Sequence, residues 1–174
     1  MKNDLKKAPP SAAPANSNRT RMIAILVPVL LLGAYFLFFR KKTEEDRVRE
    51  TIQAAAQAAR DRHPANFSAT LTEDFKTVHD LNKDTLHSIL TNLLMFQYKQ
   101  VEVSITPANV PVTLDPNDPT KAYAEFKASV TARTAPDAPW ETLTDQAGGK
   151  IFKCNFRKTE KGWQFSAVNV EKEK

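Results

Sequence analysis

Residues 82–105, "NKDTLHSILTNLLMFQYKQVEVSI", decide the fold, because the hydrophobic period changes partway along them. The first half places its apolar residues on one face of a helix: Leu86, Ile89, Leu90, Leu93 and Leu94. After Gln97 the period drops to two, which is typical of a strand with one buried face. The segment therefore predicts a helix, capped by Asp84, that leads directly into a strand.

Two further helices are expected before this segment. Thr43 is a suitable N-cap, and three acidic residues follow it in the first turn. An apolar stripe then recurs at helical spacing through Val48 and Ile52. Pro64 ends this first helix, because the residue before a proline is disfavoured in helical conformation. A short second helix follows, and we expect residues 71–75, "LTEDF", to close it.

Alternating segments joined by turns fill the rest of the chain. The clearest is 122–133, where small apolar residues alternate with polar ones, and Gly162 lies in a hairpin turn between the last two strands. The expected fold class is α+β, with three helices packed on a curved antiparallel sheet of about four strands. This domain covers residues 44–170, and residues 171–174 form a charged tail.

A transmembrane helix is predicted ahead of the domain, at residues 22–39, "MIAILVPVLLLGAYFLFF". This run has no charged residue, and a helix of that length spans roughly 27 Å, close to the thickness of a bilayer core. It is longer than the apolar core of a signal peptide, and no small-residue cleavage site follows it. We therefore expect a retained anchor, with a disordered basic tail at 1–21 and a juxtamembrane linker at 40–43.

The charges of the chain lie mainly around this apolar run. Residues 1–42 carry a net charge of +7, whereas residues 43–174 carry −2. A domain without a basic surface argues against nucleic-acid binding. Cations are balanced on the two sides of residues 22–39, so the positive-inside rule does not fix orientation. We expect a bacterial inner-membrane protein with its C-terminal domain in the periplasm, because a short tail is easily retained inside.

The order of these elements resembles the nuclear transport factor 2-like superfamily, whose domains have a cone-shaped, cystatin-like α+β fold. The resemblance covers residues 44–170. It lies in residues 44–75 with their "L-x-x-D-F" stretch at Leu71, Asp74 and Phe75, in the helix-to-strand segment 82–105, and in the closing hairpin 150–171. The superfamily includes isomerases, dehydratases, cargo receptors and single-pass membrane subunits, so the resemblance implies a fold and no particular activity.

Few residues are candidates for a functional site. In this superfamily a polar residue inside the cone performs catalysis, and the resemblance points to His79 and Asp80, close to the expected pocket mouth. Inward-facing aromatic residues either line an apolar ligand pocket or fill it as core: Phe126, Phe152, Phe156, Trp163 and Phe165. Trp140, in the Pro-rich loop 134–149, is a candidate contact with a partner protein.

No cofactor or metal site is expected. The three histidines lack the spacing of metal ligands, although His79 and His87 could approach each other across a turn. The chain has a single cysteine, Cys154, which lies in an alternating segment and is interpreted as a small buried apolar residue. Glycine-rich phosphate loops and nucleophile motifs are both missing from the sequence.

Three functions are consistent with these features, of which the last is a purely structural spacer with neither partner nor ligand. The first is a non-catalytic, membrane-anchored assembly subunit, whose partners are the lipid bilayer and other membrane or envelope proteins, with a homodimer through the sheet as one arrangement. The second is a small-molecule-binding domain, or a weak lyase or isomerase, that uses an apolar cone interior. A filled interior would exclude the second function, whereas an open one would favour it.

Overall fold

A computed structural model gives the structure of the chain and describes residues 42–143 and 150–171. The predicted tail 1–21 and the predicted transmembrane helix 22–39 lie outside the described residues, as do 40, 41 and 172–174. Within the described ranges, every helix is too short or too polar to cross a bilayer. The predicted anchor therefore remains a prediction.

The helices come first in the chain and are interrupted by one strand. They are α1 (Glu44–Arg60), α2 (Pro64–Ala69) and α3 (Lys83–Thr91), and α3 continues into a π-helix (Asn92–Gln97). The strands are β1 (Leu71–Thr77), β2 (Gln100–Thr106), β3 (Val112–Leu114), β4 (Lys121–Arg133), β5 (Glu141–Thr142), β6 (Lys150–Thr159) and β7 (Gly162–Glu171). The class is α+β, as predicted.

The sheet has seven strands rather than about four, so the predicted number of strands was wrong. Its order is β1-β7-β6-β4-β2, and the short strands β3 and β5 both pair with β4. The two short strands contribute only three and two residues, too few for a recognisable alternation. The sheet is also mixed rather than purely antiparallel, because β1 runs parallel to β7.

Residues 71–75 belong to strand β1. The prediction that they close the short second helix was therefore wrong. Leu71 and Phe75 are both buried, and a separation of four residues places two side chains on one face of a helix or of a strand. The backbone decides in favour of the strand, because the Phe165 N–H donates to the Thr70 carbonyl at 2.8 Å and Leu71 pairs with Phe165.

The helix caps confirm one prediction and correct another. At the start of α1, the Asp46 N–H donates to Thr43 Oγ1 and the Thr43 N–H donates to Asp46 Oδ2, both at 3.2 Å, which forms a capping box. At the start of α3 the cap is Asn82 and not Asp84. The Asn82 side chain accepts from the Thr85 N–H at 2.9 Å, while Asp84 lies in the first turn.

Helix α1 lies across the concave face of the sheet and is fastened near both of its ends. Near its start, Trp163 Nε1 on β7 donates to Glu44 Oε2 at 2.7 Å. Near its end, Arg60 Nη2 donates to the Val103 carbonyl on β2 at 2.7 Å. Between these two points, buried Val48 and Ile52 pack against the sheet. The helix is therefore attached to the sheet near both of its ends.

A substitution of Phe156 tests the packing of the hydrophobic core. Phe156 is 1% exposed on β6, and its ring centroid lies 4.5 Å from that of Phe165. We expect Phe156→Ala to lower the free energy of unfolding of the full chain in urea by about 3–5 kcal/mol. The matched control is Phe96→Ala, because Phe96 is 77% exposed and its loss should change stability by less than about 0.5 kcal/mol. Equal effects would contradict the described packing.

Candidate functional site

An apolar cavity of about 460 Å³ lies between the concave face of the sheet and the helices. This volume falls within the range of small-molecule binding sites. Its helical wall is formed by Ile52, Ala55, Ala56, Ala59, Phe67, Leu86, Leu90, Leu93, Leu94 and Tyr98. Its wall on the sheet includes Leu71, Phe75, Val101, Val103, Ile105, Phe126, Ala128, Val130, Phe152, Cys154, Phe165, Val168 and Val170.

Small side chains on two facing elements leave this space open. Helix α1 presents Ala55, Ala56 and Ala59 to the cavity, and β4 presents Ala128 from the opposite side. An alanine side chain is a single methyl group. These alanines therefore leave unfilled the space in which larger side chains from the two elements would interdigitate. The cone interior is therefore open along this part of the molecule, which removes the condition that would have excluded a ligand.

The mouth of the cavity lies where strands β1 and β7 end. Val78 is 63% exposed and Val170 is 42% exposed, and both line the cavity. His79 also lines it and is exposed, while Leu81 and Leu143 are half-buried lining residues. Two exposed valines thus border the opening, an arrangement that suits the entry of an apolar molecule.

Four lining residues carry polar side-chain atoms: Thr77, His79, Tyr98 and Cys154. Two of these atoms already have protein partners. Thr77 Oγ1 accepts from the Leu81 N–H at 3.1 Å, and the Tyr98 hydroxyl accepts from Gln97 Nε2 at 3.4 Å. Burial raises the pKa of the Cys154 thiol to about 12, so this group is neutral at physiological pH. Among the described lining residues, none carries a carboxylate.

The predicted pocket aromatics divide into two groups. The first group lines the cavity and comprises Phe126, Phe152 and Phe165, with the rings of Phe126 and Phe152 stacked at 5.8 Å. The second group, Phe156 and Trp163, is buried but does not line the cavity, because both residues fill the core beside it. The first group thus borders an open space, and the second belongs to the packed core.

The two residues considered for catalysis do not come together inside the cavity. His79 is at the mouth, whereas Asp80 is not among the lining residues. Asp80 occupies a turn with φ +54°, where its N–H donates to the Thr77 carbonyl at 3.0 Å. His87 contacts α2 instead, since its Nδ1 lies 2.8 Å from Ser68 Oγ. The described residues include no group of three potential metal ligands.

Trp140 lies away from the cavity, on the outside of the domain. It is 42% exposed, and the Arg133 guanidinium carbon lies 4.9 Å from its ring centroid. Such a cation–π contact holds the indole in one orientation while leaving its other face accessible. Residues 144–149 of the predicted partner loop lie outside the described residues.

The helical period predicts most of the helical wall, because Leu86, Leu90, Leu93 and Leu94 of the predicted apolar face all line the cavity. Ile89, placed on the same predicted face, is 40% exposed and does not line the cavity. The contribution of strand β1 to the wall was missed, because residues 71–75 were predicted to close a helix. The alternation of Leu71, Phe75 and Thr77 was the signal that would have found the strand.

A second hollow, of about 520 Å³, lies on the outer face of the sheet. Its walls include Lys121, Tyr123, Asn155 and Arg157. The two cations there are already paired, with Lys121 Nζ 3.0 Å from Asp118 Oδ2 and Arg157 Nη1 2.9 Å from Asp74 Oδ2. The ion pairs leave little uncompensated charge for a ligand, so the inner cavity is the better candidate site.

Solved structures share this fold at low sequence identity. A nuclear transport factor 2-like superfamily protein from Salmonella enterica superposes with a TM-score of 0.60 at 11% identity, covering 75% of this chain and 92% of that protein. A Novosphingobium aromaticivorans protein with a cystatin-like fold gives 0.56 at 15% identity, covering 80% and 86%. Another from that organism, provisionally assigned as a scytalone dehydratase, gives 0.59 at 12% identity, covering 73% and 82%.

These similarities show that the domain has the nuclear transport factor 2-like, cystatin-like cone fold. Their sequence identities are too low for the activity of one protein to be inferred from another. Neither the scan of protein-family models nor the search of curated proteins found a match. The function must therefore be argued from the cavity and the surface of this chain.

Cys154 provides a probe of the cavity because it is the single cysteine of the chain and lines the wall. Its pKa is raised from 9.0 to about 12, so the reactive thiolate is depleted about a thousandfold near pH 8. We expect the folded full chain to react with methyl methanethiosulfonate about a thousandfold more slowly than the chain in urea. Rates within tenfold of each other, followed by mass spectrometry, would contradict the described burial.

Proposed function

We propose that this domain binds an apolar small molecule in the cavity between sheet and helices. The observation that carries the proposal is the open cavity itself, about 460 Å³ in volume and lined almost entirely by hydrocarbon. Protein interiors are normally close-packed, and an unfilled space of this size loses dispersion contacts along all its walls. A bound apolar molecule would restore those contacts and would also remove its own surface from water.

Binding without turnover is preferred over a lyase or isomerase reaction. Structures of similar fold include proteins provisionally assigned as dehydratases, so a reaction in the cone is the natural alternative. Acid–base chemistry needs a titratable group within hydrogen-bond reach of the reacting atom. In the described lining, His79 lies at the solvent-exposed mouth, and the thiol of Cys154 is kept neutral by burial. Neither group forms an acid–base pair with a carboxylate.

We also propose that the chain is anchored in a membrane by residues 22–39, with the domain on the periplasmic side of a bacterial inner membrane. The support is the uncharged run of 18 residues with cations on both sides. An anchored binding domain would work next to a bilayer, which is a reservoir of apolar molecules. The anchor and the cavity are therefore compatible with one role.

A second candidate function is docking of another membrane protein on the outside of the domain. The Phe96–Trp140 surface comprises the exposed residues Met95, Phe96, Lys99 and Trp140 together with half-buried Arg133. Direct contacts join Lys99, Arg133 and Trp140. The Lys99 N–H donates to the Arg133 carbonyl at 2.8 Å, and the Arg133 guanidinium stacks on Trp140. Exposed aromatic residues beside arginine are typical of binding hot spots.

The cations of this surface have no acidic partner among the described residues. Arg133 Nε donates to Gln100 Oε1, a neutral group. Neighbouring Arg62 donates only to backbone carbonyls, including Leu94 at 2.6 Å and Met95 at 3.4 Å. The surface thus combines apolar side chains with uncompensated positive charge. Its expected occupant is a protein segment that carries acidic and apolar residues.

The docking proposal predicts a specific loss of a co-purifying protein. The full chain should remain in membranes after alkaline carbonate extraction, and a stoichiometric partner should then co-purify in mild detergent. Phe96→Ser combined with Trp140→Ser should abolish that partner, because the aromatic contacts are lost. Tyr123→Ser is the control, since Tyr123 is 38% exposed on the outer face of the sheet. Retention of the partner by the double variant would reject the surface, and extraction by carbonate would reject the anchor.

The cavity proposal predicts binding of a neutral apolar probe. N-phenyl-1-naphthylamine should bind the full chain in lipid nanodiscs, measured as fluorescence above that of empty nanodiscs. Ala128→Phe should weaken binding at least about tenfold, because the new ring occupies the cavity. Ser129→Phe is the matched control, since it is the next residue of β4 and faces the opposite side of the sheet. Equal affinity of the two variants would contradict binding in the cavity.

A further inference from the structure

The lining of the cavity changes from one part to another. Phenylalanines line one part and all belong to a single hydrophobic cluster: Phe67, Phe75, Phe126, Phe152 and Phe165. A second cluster lines the other part with branched aliphatic side chains, which include Leu90, Leu93, Leu94, Val101, Val103 and Leu143. Tyr98 is the aromatic member of this second cluster among the described residues. We call the two regions the phenyl part and the aliphatic part.

Strand β4 runs through both parts of the cavity. Phe126 lies in the phenyl part and is paired with Phe152 of β6. Four residues further on, Val130 is paired with Val103 of β2 in the aliphatic part. At about 3.3 Å per residue, the two positions on β4 are roughly 13 Å apart. Ala128 lies between them and lines the cavity, so the two parts form one continuous space.

The phenyl part favours an aromatic ring. The rings of Phe126 and Phe152 are nearly parallel, with an interplanar angle of 9° and their centroids 5.8 Å apart. Aromatic rings attract one another in offset-stacked or edge-to-face arrangements, because the negative face of one ring meets the positive edge of another. A saturated ring of similar size gains the burial of apolar surface without this attraction.

The aliphatic part favours a hydrocarbon chain. Leu93 of the π-helix and Val103 of β2 line it from the helical wall and from the sheet. Dispersion contacts with such methyl groups depend on distance and volume and not on ring geometry. In the described lining there is no lysine, arginine, aspartate or glutamate to pair with a charged ligand group. A buried charge without a partner is strongly disfavoured, so an uncharged ligand fits this interior.

We infer that the ligand is an uncharged aromatic compound with an aliphatic chain, and that its ring lies in the phenyl part and its chain in the aliphatic part. This inference rests on the proposed function and adds the chemical class and the orientation of the ligand. Such a molecule places each of its two portions against side chains of matching chemistry. The reverse orientation would lose the ring contacts.

The first test compares octylbenzene with octylcyclohexane, which has the same chain and a saturated ring. Each compound displaces N-phenyl-1-naphthylamine from the full chain in nanodiscs, and its partition into empty nanodiscs is subtracted. Octylbenzene should bind about three- to tenfold more tightly, because it alone makes ring contacts. Phe152→Leu should lower this ratio to about twofold or less. Phe96→Leu is the matched control and should leave the ratio unchanged, since Phe96 is 77% exposed and outside the cavity.

The second test locates the two portions of bound octylbenzene by nuclear Overhauser effects, with the full unsubstituted chain in nanodiscs of deuterated lipid. The ring protons of octylbenzene should contact the rings of Phe126 and Phe152. The terminal methyl group of its chain should contact the methyl groups of Leu93 and Val103. This measurement needs no variant, so it decides the orientation even where a substitution disturbs folding.

Two results would overturn the inference while leaving the cavity as a binding site. One is equal affinity for octylbenzene and octylcyclohexane, and the other is contact of the ring protons with Leu93 and Val103 instead. If neither compound nor the probe binds the unsubstituted chain, the proposed function fails as well. Unchanged binding of octylcyclohexane by the Phe152→Leu variant would show that this variant is folded.

Discussion

The small side chains of β4 constrain the rest of the structure. Along the face that points toward the helices, β4 carries alanine at 122, 124, 128 and 132, interrupted by Phe126 and Val130. A strand of alanines contributes little volume, so the interior has to be filled from elsewhere. At one end, Phe156 and Trp163 supply that volume and the core is packed. Around Ala128 they do not, and the cavity is the result.

Hydrogen bonds join helix α1 to the sheet near both of its ends. Trp163 donates to Glu44 near one end of α1, and Arg60 donates to the Val103 carbonyl near the other. The hydrogen bond from Trp163 lowers the pKa of Glu44 most, and the hydrogen bond from Lys158 lowers it further. The Glu44 carboxylate is therefore ionised, and able to accept, throughout the neutral pH range. These contacts fix where α1 crosses the sheet, because the loss of either would leave a part-buried polar group without its partner.

The π-helix connects the cavity with the outer surface. Its inward residues, Leu93 and Leu94, belong to the cavity wall, while Met95 and Phe96 face outward. Arg62, in a left-handed conformation with φ +59°, fixes this segment by donating to the Leu94 and Met95 carbonyls. A partner on the outer surface would therefore contact the same short segment that a ligand contacts from within. The two proposed functions share this element without depending on each other.

Sequence patterns were sufficient to predict the secondary structure of those segments whose hydrophobic period is unambiguous. The helix-to-strand change after Gln97, the N-cap at Thr43 and the turn at Gly162 all follow from local chemistry. Strand β1 was missed because residues four apart share a face in both regular structures. Whether Phe152 lines a cavity and Phe156 fills the core depends on what lies across the sheet, and no local pattern contains that information.

The central claim is that the space beside Ala128 holds an apolar ligand. Methyl-labelled Leu, Val and Ile residues of the full chain report on it directly by nuclear magnetic resonance. On addition of a neutral apolar ligand, the account predicts shifts for the cavity methyl groups of Leu90, Val103 and Ile105, and none for Val48 or Val110, which lie in the packed core. Shifts confined to surface methyl groups, with the cavity set unchanged, would contradict it.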